Sequence, residues 1–181
     1  MTRDFADLGF DAAAELAELR ARRQIGDAVK RYMRGQDRLD PVLHRSAFHD
    51  GAYVDCGLMH GDADEFVAFA QGFLKDLERS HHIIGQIDIT VHDATHASGE
   101  VYFYAWHRIE EDGEAKDLSV AGRYVDEYAE RGGEWRIVKR RELIDWVRTD
   151  PASDGFFEQN PVLPRGKREG ADFSQMRDWN K

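Results

Sequence analysis

The chain has 181 residues, 41 % of them hydrophobic and 11 % aromatic, which is enough for one domain with a real core and too apolar for a disordered segment. A formal net charge of −10 argues against a nucleic-acid or anionic-membrane partner, because phosphate-rich surfaces need a basic face. The single cysteine, Cys56, excludes an intrachain disulfide framework and fits a reducing, cytoplasmic setting, and the opening residues carry no apolar run of signal-peptide or membrane-span type.

Residues 1–12 are weakly patterned. From Ala13 to Arg34 the chain is rich in alanine, leucine and arginine and lacks proline, and Ile25, Val29, Tyr32 and Met33 recur at helical spacing. Gly35 weakens this helix. Asp40 and Pro41 then open a short one that ends by Ala47. Tyr53, Val54 and Cys56 mark a short strand within Phe48 to Cys56, with His49-Asp50-Gly51 as the turn before it. Asp62 and Glu65 have the spacing of a capping box, and Phe66, Phe69, Ala70, Phe73, Leu74 and Leu77 form the apolar stripe of the next helix, expected to be core.

Beyond Arg79 the period changes. His82 to Val91, His96 to Glu110, Lys116 to Ala129 and Glu134 to Arg148 are rich in β-branched and aromatic residues and are separated by turn sequences, among them Asp112-Gly113 and Arg131-Gly132-Gly133. This predicts a four-stranded antiparallel meander and an α+β domain over residues 1–148, with helices on one face of the sheet. Residues 149–181 hold three of the four prolines and read as a tail that docks on the domain or on a neighbouring subunit.

Two junctions concentrate chemistry. The first helix delivers Tyr32 and Asp37 to the point where its apolar face runs out, and Ser80-His81-His82 stands where the second long helix gives way to a strand. Strand parity groups His81 with Ile83, Ile87, Ile89 and Val91, so alternation favours His81 as the inward histidine, whereas a bulge near the strand's start would turn His82 inward. Arg123, Tyr104, Trp106 and His107 are candidate pocket walls. The eight histidines form no familiar ligand set, so neither a metal nor another cofactor is expected. Glycine-rich phosphate loops and the Gly-x-Ser-x-Gly elbow are absent, and Cys56 reads as an inert buried thiol.

The order of elements, together with Arg31-Tyr32-x-Arg34-Gly35-x-Asp37, His82-Ile83-Ile84-Gly85-Gln86, Gly122-Arg123-Tyr124-Val125-Asp126 and Gly133-Glu134-Trp135-Arg136-Ile137, resembles the SnoaL-like branch of the nuclear-transport-factor-2-like superfamily. That resemblance implies a cone in which a curved antiparallel sheet, covered on one face by the N-terminal helices, encloses an apolar pocket. It implies an acid/base site with His82 as base, Asp37 as its partner, Tyr32 assisting a leaving group or oxyanion, and Arg141 as a late-strand anion clamp. The activity so implied is a cofactor-independent lyase or isomerase acting on a small, neutral aromatic or polycyclic molecule. A non-catalytic binder or an interaction module of the same fold is the alternative. The tyrosine- and tryptophan-rich strands suggest a homodimer or homotrimer.

Overall fold

The computed structural model describes Gly9, residues 11–153 and residues 155–179. Most of the weakly patterned start thus lies outside the described residues. Helix α1 (Ala12–Asp37) begins where Asp11 accepts hydrogen bonds from the Ala13 and Ala14 amides. It buries Ile25, Val29, Tyr32 and Met33 as their spacing predicts, but it does not stop at Gly35.

Gly35 sits inside the last turn, and a Cβ built there would lie 2.5 Å from the backbone nitrogen of His44 and 2.6 Å from its Cα. The glycine is therefore a contact surface, not a helix end. It lets α1 pack backbone to backbone against α2 (Pro41–Arg45), which Asp40 caps through the Leu43 amide at 2.9 Å. The outcome is a helix that carries Asp37 inward in its final turn.

The sheet has six strands in the order β2-β1-β6-β5-β4-β3. Strands β3 (Arg79–Val91), β4 (His96–Glu111), β5 (Glu114–Arg131) and β6 (Glu134–Pro151) form the expected antiparallel meander. Strand β1 (Phe48–Asp55) joins β6 in parallel, and a short β2 (His60–Asp62) lies outside it. His49-Asp50-Gly51 belongs to β1 instead of preceding it. Gly51 has φ +72° where the β1–β6 register jumps, and His49 is buried with Nε2 on the Ala129 carbonyl at 2.9 Å. These two features turn a nominal turn sequence into a bulged strand.

Helix α3 (Ala63–Lys75) starts at the capping box: Asp62 accepts from the Asp64 and Glu65 amides at 2.9 Å, and Glu65 accepts from the Asp62 amide at 3.1 Å. Together with α1 it lies over the inner face of the curved sheet, around a core that includes Phe48, Phe66, Val101, Tyr124, Tyr128 and Ile137. On the outer face Ile83, Tyr102, Tyr104, Leu143 and Trp146 are left more than a third exposed. The tail carries two short helical turns, α4 (Gly155–Gln159) and α5 (Phe173–Met176), and runs back over its own domain. Arg168 Nη1 donates to the Leu74 and Leu77 carbonyls at 3.1 and 2.9 Å, closing the end of α3, and the Glu169 amide donates to the Arg38 carbonyl at 2.9 Å.

Gly35 and Gly26 separate two uses of glycine in one helix, since a Cβ at Gly26 would meet nothing within 4 Å. Gly35→Ala is expected to lower stability by about 1–3 kcal/mol through backbone overpacking. Gly26→Ala is expected to raise it by roughly 0.5–1 kcal/mol. Urea unfolding of the two variants checks both signs.

Candidate active site

Between α3 and the inner face of the sheet lies a cavity of about 400 Å³, a size that suits a small organic molecule. Its walls are mainly apolar: Leu58, Phe66, Phe69, Ala70, Phe73 and Leu74 on one side, and Phe103, Ala105, Val120, Ile144 and Val147 on the other. The α3 stripe is therefore not all core. Phe69 and Phe73 are 38 % and 46 % exposed because they face this opening.

Asp37 and His82 meet at one end of the cavity. Asp37 Oδ1 lies 2.7 Å from His82 Nδ1, and the same carboxylate accepts the His82 backbone amide at 3.0 and 3.1 Å. Their side chains are 10 % and 6 % exposed. A carboxylate only accepts, so Nδ1 carries the proton and Nε2 carries the lone pair of the neutral ring. His82 lines the cavity. The parity question resolves at Gly85-Gln86, where the β3–β4 register shifts between Ile84 and Ile87. Upstream of that bulge Ser80, His82 and Ile84 turn inward and His81 is exposed; downstream Ile89 and Val91 do.

The other two residues that the family resemblance selects lie elsewhere. Five positions along a helix are about 140° apart, so Tyr32 does not share the direction of Asp37. Its ring is fully buried among His44, Phe48, Phe66 and Tyr124, outside the cavity lining, and its hydroxyl accepts a long 3.4 Å hydrogen bond from Gln36. Burial holds that phenol well above its usual range, so it stays protonated.

Arg141 points to the outer face, where it pairs with Asp55 at 3.0 Å and its side chain is 66 % exposed. The cause is again a bulge: the β5–β6 register shifts between Glu127 and Tyr128, so that Ile137 is inward before the shift, and Arg140 and Glu142 after it. The inward arginine is Arg140. It is completely buried, forked onto Asp126 at 2.6 and 2.7 Å, and its Cζ lies 4.1 Å from both the Tyr32 and Tyr124 ring centres. Arg123, Tyr104 and Trp106, also candidate walls, belong to strand positions that alternate with the cavity-lining Phe103, Ala105, His107 and Tyr124. Arg123 there pairs with Asp145 and Glu100.

Two polar residues of the lining stand out. His107, on β4 beside His82 with ring centres 5.3 Å apart, is 5 % exposed, and its buried Nδ1 has no hydrogen-bond partner among the described residues. Glu142 on β6 is the carboxylic acid of the lining, and burial pushes its pKa up. His107 could be found in the sequence as a candidate wall. Glu142 could not, because Arg140-Arg141-Glu142 has the look of a solvated charge cluster.

Residues 17–141 match the SnoaL-like domain family. The chain belongs to that family. No curated protein matches it by sequence. Among solved structures, a hexachlorocyclohexane dehydrochlorinase, LinA type 2, superposes with a TM-score of 0.68 at 19 % identity, over 77 % of this chain and 94 % of the other. A Novosphingobium aromaticivorans protein with a provisional scytalone dehydratase name gives 0.65 at 19 % identity, over 79 % and 94 %. A Nostoc punctiforme protein of unknown function with a cystatin-like fold gives 0.57 at 16 % identity, over 68 % and 90 %. At these identities the likeness establishes the fold. The mixed α+β cone with its curved open sheet is thus the SnoaL-like architecture, and the end of β6 and the tail lie beyond the family match.

This SnoaL-like core also carries an acid sensitivity. Burial lowers the His44 pKa to about 3 and that of His107 to about 4, with nearby positive charge adding to the burial in both cases. Both rings are neutral in the fold, while an unfolded histidine titrates near ~6.5. Below that value the unfolded chain binds more protons than the native one. The stability these residues contribute is full above about pH 6.5 and is lost as pH falls toward 4 and 3, at up to about 1.4 kcal/mol per pH unit for each ring. Urea midpoints are expected to fall between about pH 7 and about pH 5, and an unchanged midpoint would contradict the two buried neutral rings.

Proposed function

We propose that this SnoaL-like protein is a cofactor-independent lyase in which the Asp37–His82 pair acts as a general base on a small, neutral, aromatic or polycyclic substrate. The observation that carries this reading is the 2.7 Å bond between the Asp37 carboxylate and His82 Nδ1 at the edge of an apolar cavity. His82 Nε2 takes a proton from a carbon beside an activating carbonyl or ring. Asp37 keeps the tautomer and stabilises the imidazolium that forms. The electron pair left on carbon forms a double bond as the group on the neighbouring carbon departs.

An apolar wall keeps bulk water from the carbanionic stage and strengthens every charge interaction inside. The cavity's apolar lining and the chain's net charge of −10 both favour a neutral ligand. Eliminations of this type are what the names of the dehydrochlorinase and dehydratase neighbours describe for those proteins, and the shared fold makes the comparison pertinent.

A screen of neutral aromatic β-hydroxy and β-halo ketones by product absorbance tests this reading. His82→Ala is expected to lower kcat by about 10²–10⁴-fold, and Asp37→Asn by a comparable factor, with the fold retained by circular dichroism. Ligand binding without turnover in the wild type, and with affinity unchanged in both variants, would instead make the chain a binding module.

A further inference from the structure

Glu142 occupies an odd position for a carboxyl group. It lines the same cavity as His82, from the strand three places away across the sheet, in a wall it shares with Phe103, Val120, Ile144, Val147 and its cross-strand neighbour Tyr124. No hydrogen bond or ion pair to another described residue engages it. Its natural partner would be Arg140, two residues earlier on the same face of β6, but that guanidinium is forked onto Asp126 through Nε and Nη2 and sandwiched by two phenol rings, and its buried Nη1 makes no hydrogen bond to Glu142. A carboxyl placed in a largely apolar wall without a protein partner is left to bond to what occupies the cavity, whether water or a substrate.

We propose that Glu142 is the general acid of this site, donating its proton to a leaving hydroxyl while His82 removes a proton from the adjacent carbon, so that the substrate is a β-hydroxy carbonyl compound that loses water. The proposal rests on the base role argued for His82 above. Halide departs as a stable anion and needs no donor, whereas hydroxide needs a proton to leave as water. A base on β3 and an acid on β6, on different walls of one cavity, suit the second case.

The step balances. The C–H electron pair becomes the new C=C bond, the C–O bond breaks, the carbon's proton rests on His82 Nε2 and Glu142's proton leaves in the water. Imidazolium and carboxylate then return to neutral acid and neutral base by one net proton transfer.

The charged and titratable groups that face Glu142 come from four other elements: His82 from β3, Tyr32 from α1, Tyr124 from β5 and Cys56 from the end of β1, in addition to Arg140 on its own strand. Burial raises its pKa and outweighs the opposing pull of Arg140 and His82. The acid form thereby persists to higher pH than in a solvated glutamate.

The test compares the aldol adduct of benzaldehyde and acetone with its O-acetyl ester, which share one carbon acid and differ in whether the leaving group needs a proton. Glu142→Gln is expected to slow loss of water by about 10²–10³-fold and loss of acetate by less than about tenfold, whereas His82→Ala slows both. A second measurement needs no turnover. Infrared difference spectra of the wild type should show a protonated carboxyl band that persists above the pH at which a solvated glutamate ionises, and Glu142→Gln should lack it. Equal slowing of the two eliminations by Glu142→Gln, or the absence of a band that depends on Glu142, overturns the proposal. Equal rates for His82→Ala and wild type overturn the base reading beneath it.

Discussion

The Asp37 carboxylate's hold on the first residues of β3 is the constraint on which the site depends. Asp37 ends α1, where the helix dipole presents its negative end and disfavours a carboxylate by about 0.3–1 kcal/mol. The compensation comes from outside the helix. His82 supplies a backbone amide and a ring N–H to the same group, and the Arg168 guanidinium from the tail adds attraction at longer range. A helix end is normally free to fray. This one is pinned on the other side as well, because Gly35 lies against the His44 backbone and the Asp40 amide returns to the Gly35 carbonyl at 2.9 Å. The geometry of the pair is therefore set by backbone packing between α1, α2 and β3, which leaves less play than side-chain contacts alone.

Bulges decide which side chains enter the cavity, and each one exchanges the two faces of its strand. A shift near Gly85 allows His82 and Ile89, seven positions apart, to face the same way. Opposite Glu127 and Tyr128 another turns Arg140 and Glu142 inward, and the one opposite Ala121 and Gly122 returns Val147 to the lining after Ile144. Sheet curvature and residue selection thus have a single cause. The same bends that wrap the sheet around a cavity also determine which polar groups line it.

This explains what could be read from the sequence. Elements whose signal is local were legible: the capping box at Asp62 and Glu65, the Asp40 cap, and the turns that separate the meander strands. Asp37 and His82 emerged through motif resemblance, while simple alternation pointed to His81. Alternation fails wherever a bulge intervenes, and a bulge leaves no reliable mark in a single sequence. Arg141 was selected where Arg140 is the inward residue, and Arg140 itself is engaged in structure instead of anion binding. Gly35 reads in the sequence as a weak point of the helix, and only the packing of α2 shows it to be a site of close approach. Tyr32 received its catalytic role from the resemblance, whereas its own helical spacing pointed to the core, which is where the side chain lies.

The electrostatics of the lining then limit the chemistry. Arg140, the cation nearest the cavity on β6, has its charge balanced by Asp126 and faced by two phenol rings, which stay protonated because burial holds their pKa values up. No arginine or lysine among the described residues lines the cavity, so an enolate forming there would meet no guanidinium or ammonium in the wall. A positioned base and a positioned acid contribute about 10²–10⁴-fold each, so together they remove roughly 5–11 kcal/mol of barrier. That is sufficient for a carbon acid already activated by conjugation to a carbonyl or an aromatic ring. It is insufficient for an unactivated C–H bond, so under the proposed reaction the substrate itself would carry the electron sink.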